Sequence, residues 1–281
     1  MPLAKPATVS SPVLEQFSLR GKTVLVTGGA GGIGQEIVRG MAEAGADVAL
    51  TYLTNAHAPE LAEKIAQETG RRVQAFKADV RDRSDVAGAI DRVANDFGRL
   101  DVVVANAGVC AQVSSLDYTE ESWQWNNSVN YDGVMWTAQA AGKIFKGQGY
   151  GNLIITASVS SVLVNTPQHQ AVYNASKAAA AHLGKSLAVE WVDFARVNSV
   201  SPGYIGTNML WSQPETVRNQ WISQIPARRV ADPAELKGVC PPNSFHLDLA
   251  DKTQLYVFLA SDASTYVTGA NVIIDGGFSI P

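Results

Sequence analysis

Cysteine is nearly absent: the 281-residue chain has two, Cys110 and Cys240. They fit neither a metal-binding spacing nor a disulfide framework, which suits a reducing compartment, and a cytoplasmic location is expected. Charge is scarce as well, with Asp, Glu, Lys and Arg at 17% against about 25% in an ordinary soluble domain. So little charge predicts that part of the surface is covered by a partner subunit. Basic residues are outnumbered, 22 to 26, for a formal balance of −4 and a pI near 5.6. Nucleic acid is therefore not an expected partner. No stretch approaches the roughly 20 uncharged apolar residues of a spanning helix, so no membrane is expected either. The opening MPLAKPATVSSPVLEQF has a single lysine and no apolar core, unlike a secretory signal.

What is present is apolar residue, 46% of the chain at a mean hydropathy of −0.01, enough for a full core. Short β-branched runs alternate with longer helical patterns from about Gly21 onward, as a parallel sheet covered on both faces requires. Seven strands are predicted: Thr23 to Thr27, Asp47 to Tyr52, Val73 to Ala78, Asp101 to Asn106, Asn152 to Ala157, Arg196 to Val200 and Asn271 to Asp275. Helices are predicted over Gly32 to Ala44, Pro59 to Thr69, Arg83 to Phe97, one long run around Glu120 to Lys146, and Ala171 to Val192. Residues 1–18 read as an extended arm and 19–281 as a single α/β domain. The Pro241-Pro242 pair breaks the rhythm, and Cys240 to Leu255 read as an inserted surface loop ahead of a helical run at Tyr256 to Ser261.

The strand TVLVT runs directly into TGGAGGIG, Thr27 to Gly34, and then a helix opens. Gly29, Gly31 and Gly34 satisfy one glycine frame; Gly28, Gly32, Ile33 and Gly34 fall in a second, T-G-x-x-x-G-I-G. Either frame sets bare backbone N–H groups and a helix N-terminus against a pyrophosphate. In the first β-α unit this predicts dinucleotide binding on a doubly wound, Rossmann-type sheet. An NAD site usually has an acid at the end of the second strand. Asp47 lies at that strand's beginning, whereas its end is Tyr52, Leu53, Thr54 and Asn55. None repels a 2′-phosphate, and Thr54, Asn55 or His57 can donate to one, so NADP(H) is favoured over NAD although the turn has no Arg or Lys.

Tyr173 and Lys177 in YNASK are four apart, on one face of a helix. A lysine ammonium favours the phenolate, and together with a positively charged nicotinamide it would bring a tyrosine down from about 10 toward working pH. That suits Tyr173 to general acid work on a ketone. The same spacing also occurs in ordinary surface pairs.

At this point the chain resembles the short-chain dehydrogenase/reductase family, from Leu19 to Phe278. The motifs are TGGAGGIG, the pair Asp79-Val80, ANAG at Ala105 to Gly108, Asn130 in SVNYDG, ITAS at Ile155 to Ser158, YNASK, and SPGYIGT at Ser201 to Thr207. Within the family the resemblance runs to fungal NADP-dependent reductases of polyols, ketoses and other carbonyls. It implies a tetrad: Asn130 to seat a relay water, Ser158 to polarise the carbonyl, Tyr173 to donate the proton, and Lys177 to hold the cofactor ribose. The commonest family spacing to the tyrosine points to Ser160, but the strand ends at Ser158, which is preferred. The family also implies that Asp79 accepts from the adenine amine, that Asn106 sits by the adenosine ribose, and that Ala107 and Gly108 let the cofactor lie close. Pro202, Gly203, Ile205 and Thr207 would meet the nicotinamide end.

The expected activity is therefore reduction of a ketone to a secondary alcohol, in a homotetramer. Met209, Leu210, Trp211 and Trp221 in a lid at about 204–230 suit a bulkier ketone than an open-chain sugar, or pack between subunits. Gln168, His169 and Gln170 are candidate contacts for substrate hydroxyls. The alternative activity is a silent dinucleotide-binding sensor or scaffold.

Overall fold

A computed structural model describes residues 11–237 and 255–280. Its strands are β1 (Thr23–Val26), β2 (Asp47–Tyr52), β3 (Val73–Lys77), β4 (Val102–Ala105), β5 (Asn152–Thr156), β6 (Arg196–Pro202) and β7 (Asn271–Ile274). All pair in parallel, in the order β3-β2-β1-β4-β5-β6-β7. The doubly wound sheet expected from the sequence is thus present, with strand ends shifted by at most two residues.

Strands β1, β4, β5 and β6 are buried from end to end, so both faces of the sheet are covered there. One face carries Val24, Val26, Val102, Val104 and Ile154 against α1 (Gly32–Glu43), α2 (Ala58–Thr69) and α10 (Leu255–Ala260). The other carries Leu25, Val103, Leu153 and Ile155 against α3 (Arg83–Phe97), α5 (Gly133–Gln148) and α6 (Ala171–Glu190). Pro59 opens α2, and Asp82 caps α3 by accepting from the backbone N–H of Ser84 and Asp85. Short helices α7 (Asn208–Trp211), α8 (Glu215–Gln224) and α9 (Ala234–Lys237) follow β6. No helix among the described residues is long and apolar enough to cross a membrane.

Two expectations need correction. The single helix predicted over Glu120 to Lys146 is interrupted: α4 (Glu120–Asn127) gives way to a π-helical turn at Ser128–Asp132 before α5 begins. Asn130 lies in this turn with its side chain directed inward onto the backbone of Val109. The arm is not extended throughout, because Val13–Phe17 form a 3₁₀ turn and Phe17 packs against Phe258 with ring centroids 6.1 Å apart. The proposed insertion at 240–255 lies outside the described residues except for Leu255.

The turn between β1 and α1 is held by close approach. Gly28 has φ +62°, which favours glycine, and a Cβ on it would come 3.0 Å from the Ala107 Cα. At Gly34 a Cβ would lie 2.3 Å from the Gly28 carbonyl oxygen and 2.7 Å from the Asn106 amide. Gly31 differs: it is extended, φ −174°, and open, with no atom within 4 Å of an added Cβ. Gly34→Ala should therefore destabilise the protein by about 1–3 kcal/mol, read as a fall in Tm, while Gly31→Ala leaves Tm unchanged. Equal melting of the two variants would contradict this account of the turn.

Candidate active site

Parallel strands deliver every following loop to one edge of the sheet, and here those loops enclose a cavity of about 810 Å³. The crevice opens where the strand order reverses, between β1 and β4. Gly28, Gly32, Ile33 and Gly34 line it from the first turn, Tyr52 and Thr54 from the end of β2, and Asp79 and Val80 from the end of β3. Asn106, Ala107 and Gly108 line it after β4, Ser158 after β5, Tyr173 and Lys177 from α6, and Pro202, Gly203, Ile205 and Thr207 after β6. Sequence-predicted residues that are scattered along the chain therefore meet at one place.

The Thr27 hydroxyl accepts from the backbone N–H of Asn106 and Ala107 at 3.0 and 3.1 Å and donates to the Val104 carbonyl. The Asn106 amide donates in turn to the Thr27 carbonyl at 3.0 Å. Asn106 thus fastens the glycine turn to β4, a positioning task beyond the expected ribose contact. Open space beside Gly31, the bare turn and the N-terminus of α1 together form a cradle that fits a pyrophosphate. Asn55 departs from expectation: its side chain donates to the Ala30 carbonyl at 2.6 Å and is not part of the cavity wall. His57 is exposed and paired with Glu60. Asp47 is held by Arg71 at the far end of β2.

Sequence reading missed Arg81. Ala78 bonds Tyr52 across the β2–β3 pairing, and the chain then brings Arg81 to the cavity wall beside the end of β2. Its guanidinium forks onto Asp79 with contacts of 2.5–3.0 Å, which lowers the Asp79 pKa. The pairing of strands, rather than any local motif, supplies this cation.

In the other half of the cavity Lys177 is 3% exposed, and its ammonium donates to the Thr156 carbonyl at 2.8 Å. Burial lowers its pKa to about 8. A Cβ on Gly108 would come 3.2 Å from Lys177 Nζ and 3.4 Å from the Asn130 side chain. Gly108 therefore leaves room for the lysine and asparagine, in addition to the cofactor approach expected of it. Tyr173 keeps an edge open to the cavity, but protein crowded around its phenol raises the pKa to about 12, partly offset by a hydrogen bond to Ser158. Lys177 alone does not lower the phenol, whose expected shift also needs the nicotinamide charge. Lys177 Nζ stands 5.9 Å from the Tyr173 ring centroid, and burial outweighs it. Cys110 nearby is half-buried, and desolvation raises its pKa to about 11.

The rival serines are separated by their partners. Ser158 contacts Tyr173, whereas Ser160 donates to the Asn165 side chain at 2.5 Å and receives from Ser158 at 3.1 Å. Asn130 is fully buried and does not line the cavity; its amide accepts from the Val109 N–H at 2.9 Å and donates to the Val109 carbonyl at 2.8 Å. Of the candidate hydroxyl contacts, Gln168 and Gln170 line the cavity and His169 is exposed. Leu210 and Trp221 are buried in the wall, while Trp211 is about half exposed.

A family model described as enoyl-(acyl carrier protein) reductase matches residues 28–241. The chain is 42% identical over 280 residues to an NADP-dependent mannitol dehydrogenase of Hypocrea jecorina, covering 99% of each. It is 44% identical over 264 residues to a sorbose reductase of Schizosaccharomyces pombe, covering 93% of this chain and 97% of the relative. Among solved structures, the NADPH-dependent 3-quinuclidinone reductase of Rhodotorula rubra superposes with a TM-score of 0.87 at 39% identity, covering 96% of each chain. With its glycine cradle, its converged serine, tyrosine and lysine and these relatives, the chain belongs to the short-chain dehydrogenase/reductase family.

Proposed function

We propose that the protein is an NADP(H)-dependent oxidoreductase that reduces a ketone to a secondary alcohol. The observation that carries this reading is the convergence of Ser158, Tyr173 and buried Lys177 on the cavity that also holds the pyrophosphate cradle. When bound, the dinucleotide supplies a hydride to the carbonyl carbon. A phenol with a pKa near 12 holds its proton at neutral pH and gives it to the carbonyl oxygen as negative charge develops there. The Ser158 hydroxyl, which donates to Ser160 in this structure, turns its proton to the same carbonyl oxygen when substrate binds. Lys177, mostly charged below pH 8, stabilises the phenolate left behind and would hold the ribose of a bound cofactor. Asn130 fixes the Val109 backbone at the cavity wall.

NADP(H) is supported by the names of the relatives, by the lack of an acid at the end of β2, and by Arg81. The region at 204–230 acts as the lid. A cytoplasmic homotetramer completes the reading, supported by the family and by β7, an edge strand whose Ile273 is 40% exposed. The intact Ser158, Tyr173 and Lys177 give a silent sensor no support.

Tyr173→Phe should lower ketone reduction by about 10²–10⁴-fold while NADPH binding, followed by fluorescence, changes little; retained turnover would overturn the assignment. Ser158→Ala should cost more rate than Ser160→Ala, and the reverse order would make Ser160 the catalytic serine. Leu53→Asp, at an exposed position beside the 2′-phosphate, should weaken NADPH and spare NADH. Better use of NADH by the unaltered enzyme would reject the cofactor assignment.

Lys177 also predicts a pH effect on stability. Between its folded pKa of about 8 and its ordinary value of 10.5, the unfolded chain holds a proton that the folded one has lost, so stability rises with pH in that window. Below pH 8 the folded protein bears the full cost of burying the ammonium. The Tm difference between Lys177→Met and the unaltered protein should therefore be most favourable to the variant near pH 7 and shrink toward pH 10. A difference independent of pH would show that Lys177 is not desolvated as described.

A further inference from the structure

Tyr204, next to the Pro202-Gly203 pair, lines the cavity with Ser160, Asn165, Gln168 and Trp221. Its ring stacks on Trp221 at 4.7 Å and meets the edge of Phe278 at 5.1 Å, so its position is fixed on two sides. The directions of the hydrogen bonds around its hydroxyl can be worked out. An indole N–H only donates, and that of Trp221 lies 2.8 Å from the Gln168 carbonyl oxygen. This fixes the Gln168 amide with its NH₂ toward the Tyr204 oxygen, 3.1 Å away, and makes the phenol the acceptor. On the other side the Asn165 carbonyl oxygen receives from Ser160 at 2.5 Å and from the Gln170 NH₂ at 3.1 Å. With the Gln170 NH₂ directed at Asn165 and Asn174 and its carbonyl oxygen at the Cys110 thiol, flipping Asn165 would set two NH₂ groups against each other, so the Asn165 NH₂ faces the Tyr204 oxygen, at 3.3 Å.

The Tyr204 oxygen thus accepts twice, and no protein acceptor among the described residues takes its proton. We infer that Tyr204 is a specificity-determining residue: its phenolic O–H is a directed donor for a second oxygen of the substrate, apart from the carbonyl being reduced. The ligand class is a ketone that carries a hydrogen-bond-accepting oxygen, such as a hydroxyl, elsewhere in the molecule. The same network reaches Ser158 through Ser160 and Asn165, so the donor and the reacting serine are held in one frame. This also modifies the expectation of a wholly apolar lid, because Trp221 is used to aim an amide.

The inference rests on the reading of the site as a ketone reductase, and the test separates the two. Initial rates with NADPH are measured on hydroxylated ketones (sorbose, fructose, xylulose, hydroxyacetone) and on ketones with no second oxygen (butanone, cyclohexanone). Tyr204→Phe should lower kcat/KM for the hydroxylated set at least about tenfold more than for the plain set, as expected for one lost hydrogen bond. A second variant, Gln168→Glu, keeps the phenol but offers it a carboxylate, so the proton is spent inside the protein and the same selective loss should appear. Tm and NADPH fluorescence report whether each variant is intact. Equal losses on both sets in variants with intact Tm and NADPH binding, or a wild-type enzyme that reduces only the plain set, would overturn the inference. No turnover of any ketone by the wild type would overturn the ketone-reductase reading itself.

Discussion

The hydroxyl of Thr27 holds together the two strands between which the sheet changes direction. Parallel pairing alone brings loops to the same edge, but it does not bring the turn after β1 and the loop after β4 into register. Thr27 does so by binding the backbone of Asn106 and Ala107, and Asn106 answers by binding the carbonyl of Thr27. Gly28 and Gly34 can then sit with no side chain between them and their neighbours. The phosphate cradle exists because two loops share these few polar atoms. Behind it, packed faces of alternating core residues keep β1 and β4 from sliding.

The reacting half of the cavity rests on a different balance. Lys177 is a buried cation held by a backbone carbonyl, and Tyr173 is a phenol pressed by protein. Burial pushes the two pKa values apart, lysine down and tyrosine up, so each disfavours its charged form in the absence of a partner. Such groups at a cavity wall are poised to change charge when something binds. The cost is borne by a sheet and helices that are well packed elsewhere, as is usual for functional sites.

The glycine turn, YNASK and the positions of the strands were legible because each depends on local periodicity or on a short segment that carries its own geometry. What the sequence missed or left open depends on contacts across the fold. Arg81 enters the cavity through strand pairing, which no window of sequence reveals. The role of Gly108 follows from the position of a lysine far along the chain. Ser158 and Ser160 differ by what lies opposite them, Tyr173 in one case and Asn165 in the other. Trp221 reads as an apolar lid residue, since nothing in its composition tells that its N–H points at Gln168. The break at Asn130 was hidden for the same reason, because a helical pattern continues on both sides of it.

That break has a geometric effect on the helices around it. A π turn carries one more residue than the α-helix it interrupts, and each residue advances the helical phase by about 100°. The segment before the turn, α4, packs on α6, and the segment after it, α5, packs on α3. One continuous stretch of chain therefore serves two neighbours at different azimuths. The residue that absorbs the angular offset, Asn130, is also the one whose amide grips the wall of the cavity, so the pitch of a helix and the shape of a binding site are set at a single position.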